Sequence, residues 1–266
     1  MEEAFSVINP VVVGGGVALM LFVGILASLR AGRRIGLRAI ERAGGAPNAS
    51  IGSLEAAVFA LLGLMIAFTF SGALARFDLR RVQAVDESNA VGTAWLRIDL
   101  LPAQAQPALR DTFRRYVDSR IATYRALPDV AAVRAEIGRS QVLQGEIWTQ
   151  AVAATRATGV PTSAEILVMP ALNDMFDISA TRLAATRIHP PTIVYLMLIG
   201  LAFAAALLAG YQSAGEKGYD WVHKVGFAAI VALTVYVILD IEYPRLGFVR
   251  LDAIDQLLVN VRAGMG

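Results

Sequence analysis

Two histidines and two pairs of carboxylates are the side chains of this sequence best suited to chemistry. His189 stands before Pro190-Pro191 and His223 follows Trp221-Val222. Neither has Asp, Glu or His at a spacing that would complete a metal's coordination shell. Asp86 and Glu87 are adjacent, and neighbouring helix residues point about 100° apart, which spoils them as an acid–base pair. Asp174 and Asp177 do share a helix face, and a solvated surface explains them more simply than catalysis. The chain has no cysteine, which removes thiolate chemistry and disulfides. Gly14-Gly15-Gly16 lies in an apolar run, without the strand–helix setting of a phosphate loop. The residues imply no metal, no cofactor and no enzyme.

The elements that carry these residues are dominated by membrane-length apolar runs. The 266 residues are 56% hydrophobic and 17% charged, too apolar for an ordinary soluble domain. Formal charge is +2, and 22 of the 24 cations are Arg. That balance calls for no nucleic acid; the Arg bias fits Arg–Asp/Glu pairing between helices, and a high-GC bacterial genome explains it equally well. Span one is Val11–Leu29, without a charge. Glu2 and Glu3 precede it with no Lys or Arg, so it reads as a retained span and not a cleaved signal. Residues 30–53 read as a connection with Arg30, Arg33, Arg34, Arg38 and Arg42 and a turn at Gly44-Gly45-Ala46-Pro47-Asn48. Span two is Leu54 to about Ala75, span three Thr192–Tyr211 and span four Trp221–Leu239. Trp221, His223 and Lys224 belong at the interface.

The fold class expected is all-α: a four-span helical integral membrane protein with a water-soluble helical bundle between spans two and three. The segments are 1–75, 76–190, 191–241 and an amphipathic tail, 242–266. In the bundle, Pro102 ends the helix leaving span two and Pro107 starts the next. Leu109, Phe113, Tyr116, Val117, Ile121, Tyr124 and Leu127 share one face of it. Val133, Ile137, Ile147, Trp148 and Val152 are expected inward on the following helix. Thr162-Ser163-Ala164-Glu165 reads as a capping box. In the tail, Leu251, Ile254, Leu258 and Val261 form a seam that docks on the body or on a neighbouring subunit.

Orientation follows from the short loops. Six cations lie on the side of residues 30–53 and 212–220 against three on the tails, which places those loops inside and the N-terminus and bundle outside. In a bacterium this means the inner membrane and the periplasm. Arg76, Arg80 and Arg81 after span two pull the other way. The same loop arginines could also receive anionic lipid headgroups.

Span two carries two stripes. Ala56, Ala60, Gly63, Ala67 and Ser71 form a small-residue face for helix packing. Phe59, Ile66, Phe70 and Phe77 form a bulky face, the candidate lining and gate of a pore. Arg76 and Arg80, or the stripe Asp86, Asn89 and Thr93 on the continued helix, are candidates for setting ion preference. Carboxylates at the membrane edge are costly unless paired, so Asp240 is expected to meet Arg76, Arg80 or Arg81.

Phe68-Thr69-Phe70-Ser71, Arg76-Phe77-Asp78-Leu79-Arg80-Arg81 and Asp86-Glu87-Ser88-Asn89-Ala90-Val91-Gly92-Thr93-Ala94-Trp95 resemble the bacterial bestrophin-like domain family of four-span proteins. Asp240-Ile241-Glu242-Tyr243-Pro244-Arg245-Leu246-Gly247 resembles the same family. A more distant resemblance, to bestrophins proper, implies a homo-oligomer, by analogy a pentamer, that conducts inorganic anions past an apolar neck on its second membrane helix. The acidic run of the bestrophin calcium clasp is absent here. Two readings therefore compete. One is an oligomeric ion channel with span two on its axis. The other is a non-conducting sensor or scaffold, anchored among membrane lipids, whose helical bundle docks a partner.

Overall fold

The computed structural model describes residues 10–43, 50–127, 129–215, 221–244 and 248–266. Among the described residues eight α-helices follow one another: α1 Pro10–Ala43, α2 Ser50–Arg97, α3 Gln106–Arg125, α4 Val130–Thr155, α5 Thr162–Ala185, α6 Thr192–Gln212, α7 Trp221–Glu242 and α8 Asp252–Ala263. Short 3-10 turns follow α2 and α6, and no strand occurs among the described residues. Four helices (α1, α2, α6 and α7) are long and apolar enough to cross a membrane.

The chain forms two compact units. Among the described residues, one consists of 10–76 with His189–Tyr243, the other of Phe77–Ile188 with the chain from Pro244 onward. The first is the membrane unit. Its core is Leu21, Ile25 and Leu29 of α1, Leu62 of α2, Leu198, Ala202, Ala205 and Ala206 of α6, and Ala228, Val231 and Val235 of α7. Apolar burial cannot drive helix association inside lipid, so small residues and close backbone approach must do it. The seam between α1 and α6 is built that way. A Cβ on Gly32 would lie 1.9 Å from the Leu207 carbonyl oxygen, and one on Gly210 would lie 2.1 Å from that of Leu29. Gly36 meets the Tyr211 carbonyl in the same manner, at 2.6 Å.

That seam also explains why α1 overruns its span. Residues 30–43, expected as a connection, are helical. They contain no Pro, their two glycines sit where α1 meets the α6 backbone, and Arg, Ala, Leu and Ile fill most of the rest. The Gly44–Asn48 turn, like Glu216 and Lys217 of the second link, lies outside the described residues.

The second unit is a helical bundle made of the end of α2 with α3, α4, α5 and α8. Trp95, Phe113, Tyr116 and Phe176 form an aromatic ladder through its core, with successive ring centroids 5.7, 6.3 and 6.1 Å apart. The expected face of α3 is buried at Leu109, Phe113, Tyr116 and Val117 and half-buried at Ile121 and Tyr124, whereas Leu127, 38% exposed, lies beyond the helix end at Arg125. Two local expectations are corrected. Trp148 is exposed, because the inward stripe of α4 runs through Ser140, Leu143, Ile147, Ala151 and Ala154. The capping box does not form: Pro161, with φ preset at −70°, is the N-cap and Thr162 is already helical, with no side-chain cap. Asp129 does cap α4, its carboxylate accepting from the amides of Ala131 and Ala132, both at 3.0 Å. The tail docks on its own bundle: Leu258 is in the core, Arg262 pairs with Asp118 at 2.8 Å, and Arg114 donates to the Met265 carbonyl at 3.0 Å.

Candidate functional site

Helix α2 is continuous for 48 residues, and its residues divide by angle into a covered and an uncovered side. Its covered stripe runs through Leu62, Thr69, Ala73, Arg80, Gln83, Glu87, Val91 and Ala94, and on to Ile98 of the turn that follows. Successive members lie three, four or seven apart, the spacing of one helix face. The opposite stripe is uncovered along its whole length. It holds Ala56, Ala60, Gly63, Ala67, Phe70, Ser71 and Leu74, then Asp78, Arg81, Val85, Asn89 and Thr93. Within the single chain the five small residues are thus unpacked, and a Cβ on Gly63 would meet nothing within 4 Å.

The bulky face is split by the same geometry. Phe59 and Ile66 pack on the membrane unit's own core, and the Phe59 ring meets Phe227 edge-on at 5.5 Å. Phe70 stays 38% exposed, beside the small stripe. Phe77 is half-buried, with the Arg81 guanidinium 5.8 Å from its ring centroid. The polar candidates Asp86, Asn89 and Thr93 are all exposed. Thr69 turns its hydroxyl back to the carbonyls of Met65 and Ile66, at 2.8 and 3.0 Å.

Arg76 and Arg80 are engaged inside their units. In the membrane unit Glu242, completely buried, accepts from Arg76 through both oxygens: Nε at 3.0 Å from each and Nη2 at 2.6 Å from Oε2. His189 Nδ1 lies 2.9 Å from the same carboxylate, and its ring stacks on Tyr243 with centroids 4.5 Å apart. The carboxylate found on Arg76 is therefore Glu242, two residues beyond Asp240. Such a two-pronged, charge-assisted contact is what makes a buried carboxylate tolerable. In the bundle, Arg80 is buried and donates to the carbonyls of Ala185 and Ile188 at 3.3 and 3.2 Å. Arg81 pairs with Asp78 at 3.2 Å on the surface.

Two turns beyond Arg80, α2 carries the most heavily bonded carboxylate among the described residues of the bundle. Glu87 is fully buried; its Oε1 accepts from Arg120 Nε at 2.7 Å, and its Oε2 from Arg182 Nη1 at 2.6 Å and the Tyr124 hydroxyl at 2.8 Å. Arg182 goes on to Asp255 of α8 and lies 3.8 Å from the centroid of the Tyr124 ring. Burial alone would raise the Glu87 carboxyl, but the two guanidiniums outweigh it and hold it below the usual carboxylate range. Burial, reinforced by the Glu87 charge, pushes the Tyr124 hydroxyl up. This network ties α2, α3, α5 and α8 together and fixes the rotation of α2 in the bundle. Glu87 faces in, so Asp86 and Asn89 face out.

The fold and this organisation define a four-span helical membrane protein whose second span continues into a helical bundle. The sequence matches the Bestrophin-like domain model over residues 17–253, and the chain belongs to that family. Among solved structures it is similar to a mutant form of a bacterial bestrophin homolog from Klebsiella pneumoniae. The TM-score is 0.66 at 15% identity, with 93% of this chain and 99% of that one covered. No curated protein matches the sequence.

Proposed function

We propose that the protein is the subunit of an oligomeric membrane ion channel in which the uncovered face of α2 lines the axis. The observation that carries this reading is that face itself, uncovered from Ala56 to Thr93 in a chain of bestrophin-like fold. Small residues there let several α2 helices approach one another, and Phe70 is the large apolar group beside them. A ring of Phe70 side chains would close the path by dewetting, with Phe77 one turn-pair further along. Phe59 and Ile66 would support the helix from behind.

Anion conduction is what the likeness to bestrophins implies. The α2 face itself leans the other way beyond the membrane. Arg76 and Arg80 are engaged, Arg81 is matched by Asp78, and Asp86 has no cationic partner among the described residues. A ring of Asp86 carboxylates would favour cations.

The competing reading, a non-conducting sensor or scaffold, is favoured by one observation: span two has no polar string beyond Thr69 and Ser71. Thr69 is covered and bonds its own helix, and Ser71 is the one hydroxyl of the span on the uncovered face. Flux through liposomes separates the two. Phe70→Ala should raise ion flux about tenfold or more over the unaltered protein, and Asp86→Asn should shift the reversal potential towards anions. Absence of flux in both Phe70→Ala and Phe77→Ala, with protein inserted normally, would sink the channel reading.

A further inference from the structure

Beyond its span, α1 presents a row of cations on a rigid element. Arg30, Arg34, Arg38 and Arg42 recur every fourth residue, drifting only about 40° per step around the helix. All four are exposed, and none meets a carboxylate among the described residues. The row prolongs the outward face of the span: Val23, Ala27, Arg30 and Arg34 follow at spacings of four, three and four, and Val23 is 55% exposed. The side of α1 that faces outward in the apolar zone thus becomes cationic as soon as the apolar zone ends. Ile35 and Leu37, 47% and 39% exposed, flank the arginines.

The opposite side of this helical extension is locked. Gly32 and Gly36 seat their backbone on the carbonyls of Leu207 and Tyr211, so α1 cannot rotate its arginines inward without losing the α6 seam. A fixed row of guanidiniums with apolar flanks, set at the end of a span and on the same face, matches phosphate groups lying over acyl chains. Guanidinium binds phosphate with paired, directional N–H donors.

We infer that Arg30, Arg34, Arg38 and Arg42 form a binding surface for the headgroups of anionic phospholipids in the leaflet at that end of α1. Apolar flanks give no advantage with a free anion, which is why a lipid is the occupant. The inference stands whether or not the protein conducts.

Full-length protein in an uncharged detergent, titrated with phosphatidylglycerol, phosphatidylcholine or inorganic phosphate and followed by native mass spectrometry, tests it. Each cation near an anionic lipid surface multiplies affinity about fivefold, so the double variant R34Q/R38Q should bind phosphatidylglycerol about 25-fold more weakly. R34K/R38K should stay within about threefold of the unaltered protein. R115Q/R139Q, on exposed faces of the bundle, should bind as the unaltered protein does. The preference of the unaltered protein for phosphatidylglycerol should also shrink as salt is raised, an arm that needs no variant. Equal binding of phosphatidylcholine, a salt-insensitive preference, equal losses in R34Q/R38Q and R115Q/R139Q, or competition by inorganic phosphate at the lipid's own concentration would each overturn the inference.

Discussion

Glu87 shows what one charged residue on an apolar stripe does. It lies on the α2 face that continues as Val91, Ala94 and Ile98, while Arg120 lies on the α3 face of Phe113, Val117 and Tyr124. Both intrude into hydrophobic spacing, and that intrusion was the available sign that they meet inside. Weighing Asp86-Glu87 only as an acid–base pair concealed it, since only the three-dimensional packing of α3 and α5 supplies the two arginines. Removing one partner of a buried ion pair costs about 3–5 kcal/mol because the others remain buried and unpaired. Glu87→Gln should therefore lower the thermal midpoint of the full-length protein by roughly 10 °C, whereas Asp86→Asn, at an exposed position, should leave it within about 2 °C. The pH dependence has a definite sign. The folded Glu87 is more acidic than the unfolded one, so its contribution is complete above the ordinary Glu value of about 4.3. It is lost as pH falls through the depressed folded value. Unfolding midpoints followed downward from pH 7 should hold to about pH 5 and then fall, and the fall should be shallower in Glu87→Gln. Equal acid slopes in the two proteins would remove Glu87 from this role.

At the level of elements, spans and helices were legible because lipid and water enforce simple patterns: uncharged runs of about 20 residues, and apolar faces at helical spacing. Helix ends and close packing were less so. Thr162 and Glu165 have the spacing of a capping box, but the box requires Thr162 before the first helical residue, and Pro161 takes that place. Glycines are as hard to place from spacing alone. Gly14-Gly15-Gly16 is the conspicuous cluster, yet a Cβ on Gly15 or Gly16 would touch nothing within 4 Å, whereas Gly32 and Gly36, four apart, carry the backbone contact. The small-xxx-small spacing was present in the sequence but hidden among arginines beyond the expected end of span one. Gly32→Ala must push a methyl into a backbone carbonyl that cannot step aside. Overpacking of this kind costs about 1–3 kcal/mol. Gly16→Ala, in open space, should be neutral or stabilising by up to about 1 kcal/mol from helix propensity alone. Detergent-solubilised protein heated in steps and assayed for aggregation should lose stability in the first variant and not in the second. The reverse ranking would mean that α1 and α6 do not meet through this seam.

For the molecule as a whole, the decisive property of α2 is the face that its own chain leaves uncovered. A small-residue stripe flanked by Phe70 and Leu74 in a membrane helix can end in lipid or against other copies of itself, and the two outcomes differ in what neighbours Ala67. Because the chain has no cysteine, single thiols report that neighbour without background. If α2 helices surround a common axis, Ala67→Cys should be joined between subunits by a short homobifunctional thiol crosslinker in native membranes, in a ladder whose highest band counts the subunits. Leu62→Cys, 3% exposed on the covered side, should give none, and Ile230→Cys, 68% exposed on α7, distinguishes a face towards lipid from one towards the axis. Crosslinking through Ile230→Cys but not through Ala67→Cys would place the subunit contact on α7 and turn the α2 stripe to lipid. Such a result would remove the geometric basis for an α2-lined pore even if the protein proved oligomeric. A ladder through Ala67→Cys without flux in Phe70→Ala would instead leave an assembled complex that does not conduct. Assembly and conduction are thus separable, and the α2 face must satisfy both tests before it can be a pore.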